Sequence, residues 1–282
     1  MTNSVFVPGH ITGFFSIENH DIKLKNGSCG VGFLLSRGVK TTVSPSDKLI
    51  IEVNQGDNTV IDEVLSVLDL ENSNFKITQD IQLPIGAGFG TSAASALSLT
   101  LALNEFLNLG YSDELCGQIA HMAEVNLGAG LGDVIAQTGT GLVLRTKPGA
   151  PGIGEIKSFS EDVFIGWKTF GGIETSDIIL NPHFKEVISS SGSKYLELFE
   201  EEPTLENFLS FSLKFSQEIN LMSDEVKNLI DYFNSSGDIL GSSMAMLGNT
   251  AFAFAYNEDA LKKLNIEDLH IDKLNNIGII YD

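Results

Sequence analysis

The sequence predicts a mixed α+β protein of two domains, and three observations lead there. Short β-branched runs alternate with helical spacings from the first residues onward. A helix that is apolar almost all round follows the glycine-rich stretch "LPIGAGFGTSAAS" at 83–95. A Pro/Gly cluster at 148–154 then precedes a second set of strands and helices. The 282 residues, 43% of them hydrophobic, suffice for a sizeable core in one or two domains.

Each element can be read from its residues. The runs 4–8, 31–43, 49–53 and 76–83 carry β-branched or alternating apolar side chains and stop at Gly, Pro or Asn, which predicts short strands. Residues 58–70 place Val60, Ile61, Val64, Leu65, Val67 and Leu68 at helical spacing. The segment 92–109 is apolar on nearly every face, with Ala93, Ala94, Ala96, Leu97, Leu101 and Phe106, so a core helix is expected, with Gly110 at its C′ position. A second helix is expected over 112–127, opened by Asp113 and Glu114, where acidic groups favour the helix dipole. The glycines of "NLGAGLGDV" then break the helical pattern. Beyond the Pro/Gly cluster, "DVFIGWKTF" and "SMAMLGNTAFAFAY" read as strands, and 176–190, 204–219 and 223–235 as helices. The expected domains are therefore 1–155 and 156–282.

Charge narrows the function. With 37 acidic against 17 basic residues the net charge is −20, which repels nucleic acid and anionic membrane surfaces, so neither is an expected partner. The most apolar window is interrupted by Asn104 and Glu105, and the N-terminus shows no basic-then-apolar leader, so a cytoplasmic protein is expected. Cys29 and Cys116 lie far apart and form no Cys-x-x-Cys pair, which argues for small buried residues and against a disulfide framework or zinc site. An anionic substrate would need a local cation, and the two arginines, Arg37 and Arg145, are the candidates. Arg37, in a strand-end turn, reads as a surface residue.

The alternating glycines at 86, 88 and 90 let a backbone approach a ligand closely, and the helix that follows aims free N–H groups at it. That chemistry favours phosphate, although a glycine turn before a buried helix also serves tight packing. A P-loop is excluded because Thr91 follows Gly90 with no lysine between them. A dinucleotide fingerprint would open the first βαβ unit and place an acid about 20 residues on, and it does not fit.

The stretch "LPIGAGFGTSAAS" is similar to the central phosphate-loop motif of the GHMP kinases, roughly Pro-x-Gly-x-Gly-Leu-Gly-Ser-Ser-Ala. "VPGHITGFF" at 7–15 and "GSSMAMLGNTAFAF" at 241–254 resemble the family's N-terminal and C-terminal motifs, in the expected order. The resemblance implies a two-domain α+β GHMP kinase fold with the active site in the interdomain cleft, using ATP and Mg²⁺. "PGHITGFF" and "GAGLGDVIAQTGTG" are most similar to the archaeal branch that phosphorylates pantoate on the route to coenzyme A. Homoserine, shikimate and mevalonate are the acceptors of the alternatives within the family. Oligomeric state is left open, a homodimer included. Two departures stand out: mevalonate-type members carry Lys or Arg where this chain has His10, and Met244, Met246 and Leu247 replace small residues of the C-terminal loop.

Phosphoryl transfer needs a phosphate cradle, a divalent cation and a group that handles the attacking hydroxyl. The resemblance assigns the cradle to Pro84, Gly86, Gly88, Gly90, Thr91 and Ser92. Ser92, ahead of Thr91, would offer Mg²⁺ a hydroxyl oxygen, with helix capping as the competing role. Glu124, amid the apolar residues of "AHMAEVN", resembles the family's metal-binding glutamate; a solvated helix position is the alternative. Asp133 resembles the aspartate proposed as base in mevalonate kinase, and an N-cap is its other role. Arg145 is the expected bidentate partner of the substrate carboxylate. Further donors to the substrate would be His121, three residues before Glu124 and so on the same helical face, together with Ser28, Thr175 and His10.

Overall fold

The computed structural model describes residues 3–130, 132–172 and 182–282. Two long strands, β1 (Asn3–Glu18) and β2 (Gly27–Pro45), pair antiparallel along most of their length. They centre a seven-stranded sheet in which β3 (Ile50–Val53) and β4 (Phe75–Ile81) extend one side in the order β1-β2-β4-β3. The helix α1 (Thr59–Val67) makes the crossover that lets β3 and β4 run parallel. After α2 (Thr91–Leu107), α3 (Asp113–Leu127) and the single turn α4 (Asp133–Ala136), the hairpin β5 (Leu142–Lys147) and β6 (Glu155–Phe159) adds to the free stretch of β2.

The remaining chain forms β7 (Phe164–Thr169), α5 (Pro182–Glu201), α6 (Leu205–Ile219), α7 (Asp224–Asn234), β8 (Gly241–Met244), β9 (Thr250–Ala255), α8 (Glu258–Lys262) and β10 (His270–Lys273). Its four strands make an antiparallel sheet in the order β10-β7-β9-β8. The last strand, β11 (Ile280–Tyr281), returns to pair with β1.

The β1–β2 pair is covered on both faces, which is why its strands read as nearly continuous apolar runs. On one face Val5, Val7, Val39 and Val43 pack with α1, α2 and α3. On the other, Phe14 and Phe33 pack with Phe208 of α6 and Phe252 and Phe254 of β9, and the Phe33 ring centroid lies 5.0 and 4.9 Å from the last two. These T-shaped contacts belong to one apolar cluster that joins the first sheet to the second.

Several boundaries differ from the sequence reading, for identifiable reasons. β1 does not stop at Pro8; it runs to Glu18 through register shifts between Pro8 and His10 and between Thr12 and Phe14. Gly9, read as a strand end, is a point of close approach: a Cβ there would sit 2.2 Å from Leu83 Cδ1. The left-handed residue that ends α2 is Asn108, at φ 53°, two residues before Gly110. The Pro/Gly cluster 148–154 links β5 to β6 inside one sheet, so the chain leaves that sheet after Phe159. The expected helix over 176–190 lies partly outside the described residues. Among the described residues no helix is long and apolar enough to cross a membrane.

Candidate active site

The glycine loop joins β4 to α2. Gly88 and Gly90 hold φ of 86° and 59°, the left-handed region that favours glycine. Gly90 is also the N-cap of α2, and no side chain caps that helix, so its first N–H groups face the cavity beside the loop. A segment following β8 supports the loop from behind. The Thr250 hydroxyl donates to the Ala87 carbonyl at 2.8 Å, and a Cβ on Gly248 would fall 2.1 Å from that oxygen. The Met246 amide donates to the Thr12 carbonyl at 3.0 Å, which ties this support to β1. The C-terminal glycine motif therefore fixes the loop's shape.

One wall of the cavity is built from α2 and α3. Ser92, in the first turn of α2, donates its hydroxyl to Glu124 Oε1. Glu124 is 3% exposed and lies in the last turn of α3, next to the backbone of Gly130. Burial raises its carboxyl to about 7, the nearby Asp133 charge adds to the rise, and the Ser92 bond opposes it.

Asp133, the first residue of α4, lines the same cavity with 28% of its side chain exposed. His10 Nδ1 lies 2.7 Å from Asp133 Oδ1. Burial works to raise the Asp133 carboxyl, but the His10 hydrogen bond and the charge of Arg145 hold it below the ordinary carboxylate range. Burial lowers the His10 imidazole, so it stays neutral near pH 7 even beside that carboxylate. An ionised carboxylate only accepts, which places the His10 proton on Nδ1.

Arg145, on β5, is 1% exposed yet lines the same cavity. Its two terminal nitrogens reach the Thr12 hydroxyl at 3.4 and 3.5 Å, and its Nε has no acceptor among the described residues. Among the described residues no carboxylate lies within 4.0 Å of it. Burial lowers the guanidinium pKa against the opposing pull of Asp133 and Cys29, but a guanidinium keeps its charge in a protein. A buried cation without a carboxylate partner, facing a cavity, has a standing demand for an anion.

The structure thus gathers Gly86, Gly88, Gly90, Thr91, Ser92, Glu124, Asp133, Arg145 and Ser28 around one cavity. Pro84 is half-buried just before the loop and does not line it. His10 is fully buried behind Asp133 and reaches the cavity only through that residue. His121 turns away from Glu124: its Nε2 meets the Lys23 carbonyl at 3.2 Å, where it holds the turn that leads into Ser28. Spacing set His121 on the same side of α3 as Glu124, but the approach of residues 23–26 captured the ring. Thr175 lies outside the described residues. Arg37 is not at the cavity; it pairs with Asp272 at 3.2 Å and lies over Trp167. Sequence reasoning missed Thr12, Phe15, Met246 and Leu247 as cavity residues, although all four stand in the two outer motifs that carried the resemblance.

Residues 58–141 match the GHMP kinases N terminal domain. The chain belongs to the GHMP kinases, a family of ATP-dependent small-molecule kinases. Within it, the pantoate kinase of Methanocaldococcus jannaschii is 36% identical over 265 residues, covering 93% of this chain and 96% of that protein. The pantoate kinase of Methanospirillum hungatei is 31% identical, covering 92% and 90%. A solved structure described as a phosphotransferase related to the CoA biosynthesis pathway superposes with a TM-score of 0.87 at 28% identity, covering 100% of this chain and 99% of that one.

Proposed function

We propose that this chain is a pantoate kinase, which transfers the γ-phosphoryl group of ATP to the primary hydroxyl of pantoate and yields 4-phosphopantoate. The observation that carries the substrate assignment is Arg145, a buried guanidinium that faces the cavity of a kinase fold and has no carboxylate partner among the described residues. Pantoate supplies a carboxylate for that cation and a hydroxyl for Asp133. The identity of the relatives supports the same substrate.

In this reading the active site lies where two units that part after residue 159 meet, the second bringing Met246 and Leu247 of the β8–β9 connection to the cavity. The loop 86–91 and the free N–H groups of α2 hold the ATP phosphates. Arg145 binds the pantoate carboxylate, with Thr12 and Ser28 beside it. His121 acts indirectly, by holding the turn ahead of Ser28. Asp133, ionised at neutral pH, accepts the hydroxyl proton as the oxygen attacks the γ-phosphorus, and ADP leaves with the bridging oxygen.

Mg²⁺ fits the Glu124–Ser92 pair. It takes oxygen ligands, usually one or two carboxylates with phosphate oxygens. Glu124 and Ser92 offer a carboxylate and a hydroxyl side by side at the loop, although among the described residues no group of three acidic, His or Cys side chains gathers. When bound there, the ion would neutralise charge on the phosphate oxygens. The soluble, small-molecule chemistry suits a cytoplasmic enzyme.

The test is ADP release by the purified protein with pantoate, homoserine, shikimate and mevalonate offered separately, with products weighed by mass spectrometry. Turnover on pantoate with a product one phosphoryl group heavier is expected. Turnover confined to another acceptor would replace the substrate assignment and leave the kinase assignment intact.

A further inference from the structure

The His10–Asp133 contact goes beyond substrate binding. We infer that His10 is a positioning residue for phosphoryl transfer, a neutral imidazole whose Nδ1–H fixes one oxygen of Asp133 so that the other stays turned to the acceptor hydroxyl. The inference rests on the reading of Asp133 as the group that receives the hydroxyl proton.

Three features of the structure support it. First, His10 is wholly buried on β1 between the two register shifts of that strand, and its backbone amide donates to the Phe89 carbonyl at 2.9 Å. The ring is therefore anchored to the phosphate loop and cannot follow a moving substrate. Second, the bond to Asp133 Oδ1 is 2.7 Å, within the range of a charge-assisted N–H···O⁻ bond. Third, the other ring nitrogen, Nε2, is buried with no partner among the described residues, and a Cβ on Gly32 would fall 2.2 Å from it. A proton on Nε2 would have no acceptor, so the surroundings accommodate the neutral tautomer and disfavour the cation.

The same surroundings show why a fixed oxygen matters. Asp133 opens α4, a single turn of four residues after a run of glycines, and such a short element gives its first side chain little support of its own. Gly132, directly before it, packs against Ser28 and Arg145, and the Gln137 amide at the end of the turn donates to the Gly90 carbonyl at 2.9 Å. His10 is the contact that sets the carboxylate itself between the loop that would hold ATP and the arginine that would hold the acceptor.

The test compares His10→Asn, His10→Gln and His10→Leu. The Asn amide nitrogen stands where Nδ1 stood, whereas the Gln amide reaches the Nε2 position. His10→Leu should lower kcat by roughly 10- to 100-fold, the size of a lost charge-assisted bond, with the KM values for ATP and pantoate within about twofold of wild type. His10→Asn should recover most of kcat, and His10→Gln should not. In the Asp133→Asn background the same changes at His10 should have little further effect, because residues that act as one unit are not additive. A purely structural role predicts that Asn and Gln lose activity alike and in step with thermal stability, and that result would overturn the inference. So would an unchanged kcat in folded His10→Leu. Wild-type turnover in Asp133→Asn alone would instead remove the reading of Asp133 on which the inference stands.

Discussion

Two carboxylates line one cavity, and their surroundings pull their pKa values apart. Burial lifts the Glu124 carboxyl to about 7, the like charge of Asp133 adds to the rise, and only the Ser92 hydroxyl on α2 opposes it. Asp133 meets an imidazole N–H and the field of a buried guanidinium, and its carboxyl falls below the ordinary range. Burial works to raise both, so the neighbours decide the difference. A carboxylate held ionised by fixed donors is ready to take a proton from an alcohol. One that burial lifts towards neutrality, with only a hydroxyl bonded to it, lacks the positive charge that a divalent cation would supply. The division of labour thus follows from the hydrogen bonds and charges that surround each acid.

The largest break in this comparison is expected at Asp133. Asp133→Asn should lower kcat by about 10²- to 10⁴-fold, the usual worth of general-base assistance, while the KM for ATP changes little. Steady-state kinetics with each substrate varied in turn will show it. Wild-type turnover would reduce Asp133 to a helix-capping residue.

Glu124→Gln should act on turnover and on stability in opposite directions. Turnover should fall, with partial recovery at high Mg²⁺, and Ser92→Ala should behave in the same way. For stability the sign follows from the raised pKa. The folded state prefers the protonated form, so the native protein carries no penalty below the ordinary value of 4.5 and acquires one as pH climbs towards about 7. A shift of that size corresponds to about 3 kcal/mol. Denaturant unfolding without Mg²⁺ at about pH 8 should therefore find Glu124→Gln more stable than wild type by up to about 3 kcal/mol, with the gain gone near pH 4. Equal stabilities at both pH values would show that Glu124 is not under strain. Asp133 carries the reverse sign. Its lowered pKa contributes stability above the ordinary carboxylate range that fades as pH falls through its folded value.

The smallest effect is expected where the loop meets the Asp133 wall. Gly90→Ala places a Cβ in a left-handed residue, about 1–2 kcal/mol of strain, and brings it to 3.2 Å from the Asp133 Cβ. A lower melting temperature and a modest fall in kcat should result. A melting temperature equal to wild type would mean that the loop relaxes freely.

The sequence made one class of residue readable and left another hidden. Ser92, Glu124, Asp133 and Arg145 stand in local patterns whose chemistry is carried by neighbours along the chain, and the structure brings all four to one cavity. His10 and His121 depend on partners far away in sequence. The His10 ring finds Asp133 only because β1 shifts register beside the glycine loop, and His121 finds Lys23 because a turn before β2 lies across α3. The same limit applied to the fold. Gly9 looks like a strand end, yet it and Gly13 are sites where another side chain presses on β1, Leu83 on the first and Ser212 and Phe208 on the second. Local spacing does not distinguish a turn from a close contact.

The recognition of a carboxylate by Arg145 joins the cavity to its substrate, and it is open to a direct measurement. The kcat/KM values of wild type and Arg145→Ala would be determined with pantoate and with its neutral amide, which keeps the acceptor hydroxyl and loses the charge. Removing the guanidinium should cost roughly 10- to 150-fold with pantoate, the worth of a charge-assisted bond, and little with the amide. Arg145→Lys should return part of the loss for pantoate, because it restores the charge without the bidentate fork. Equal losses on both acceptors would contradict the assignment and make Arg145 a structural support of the cavity wall.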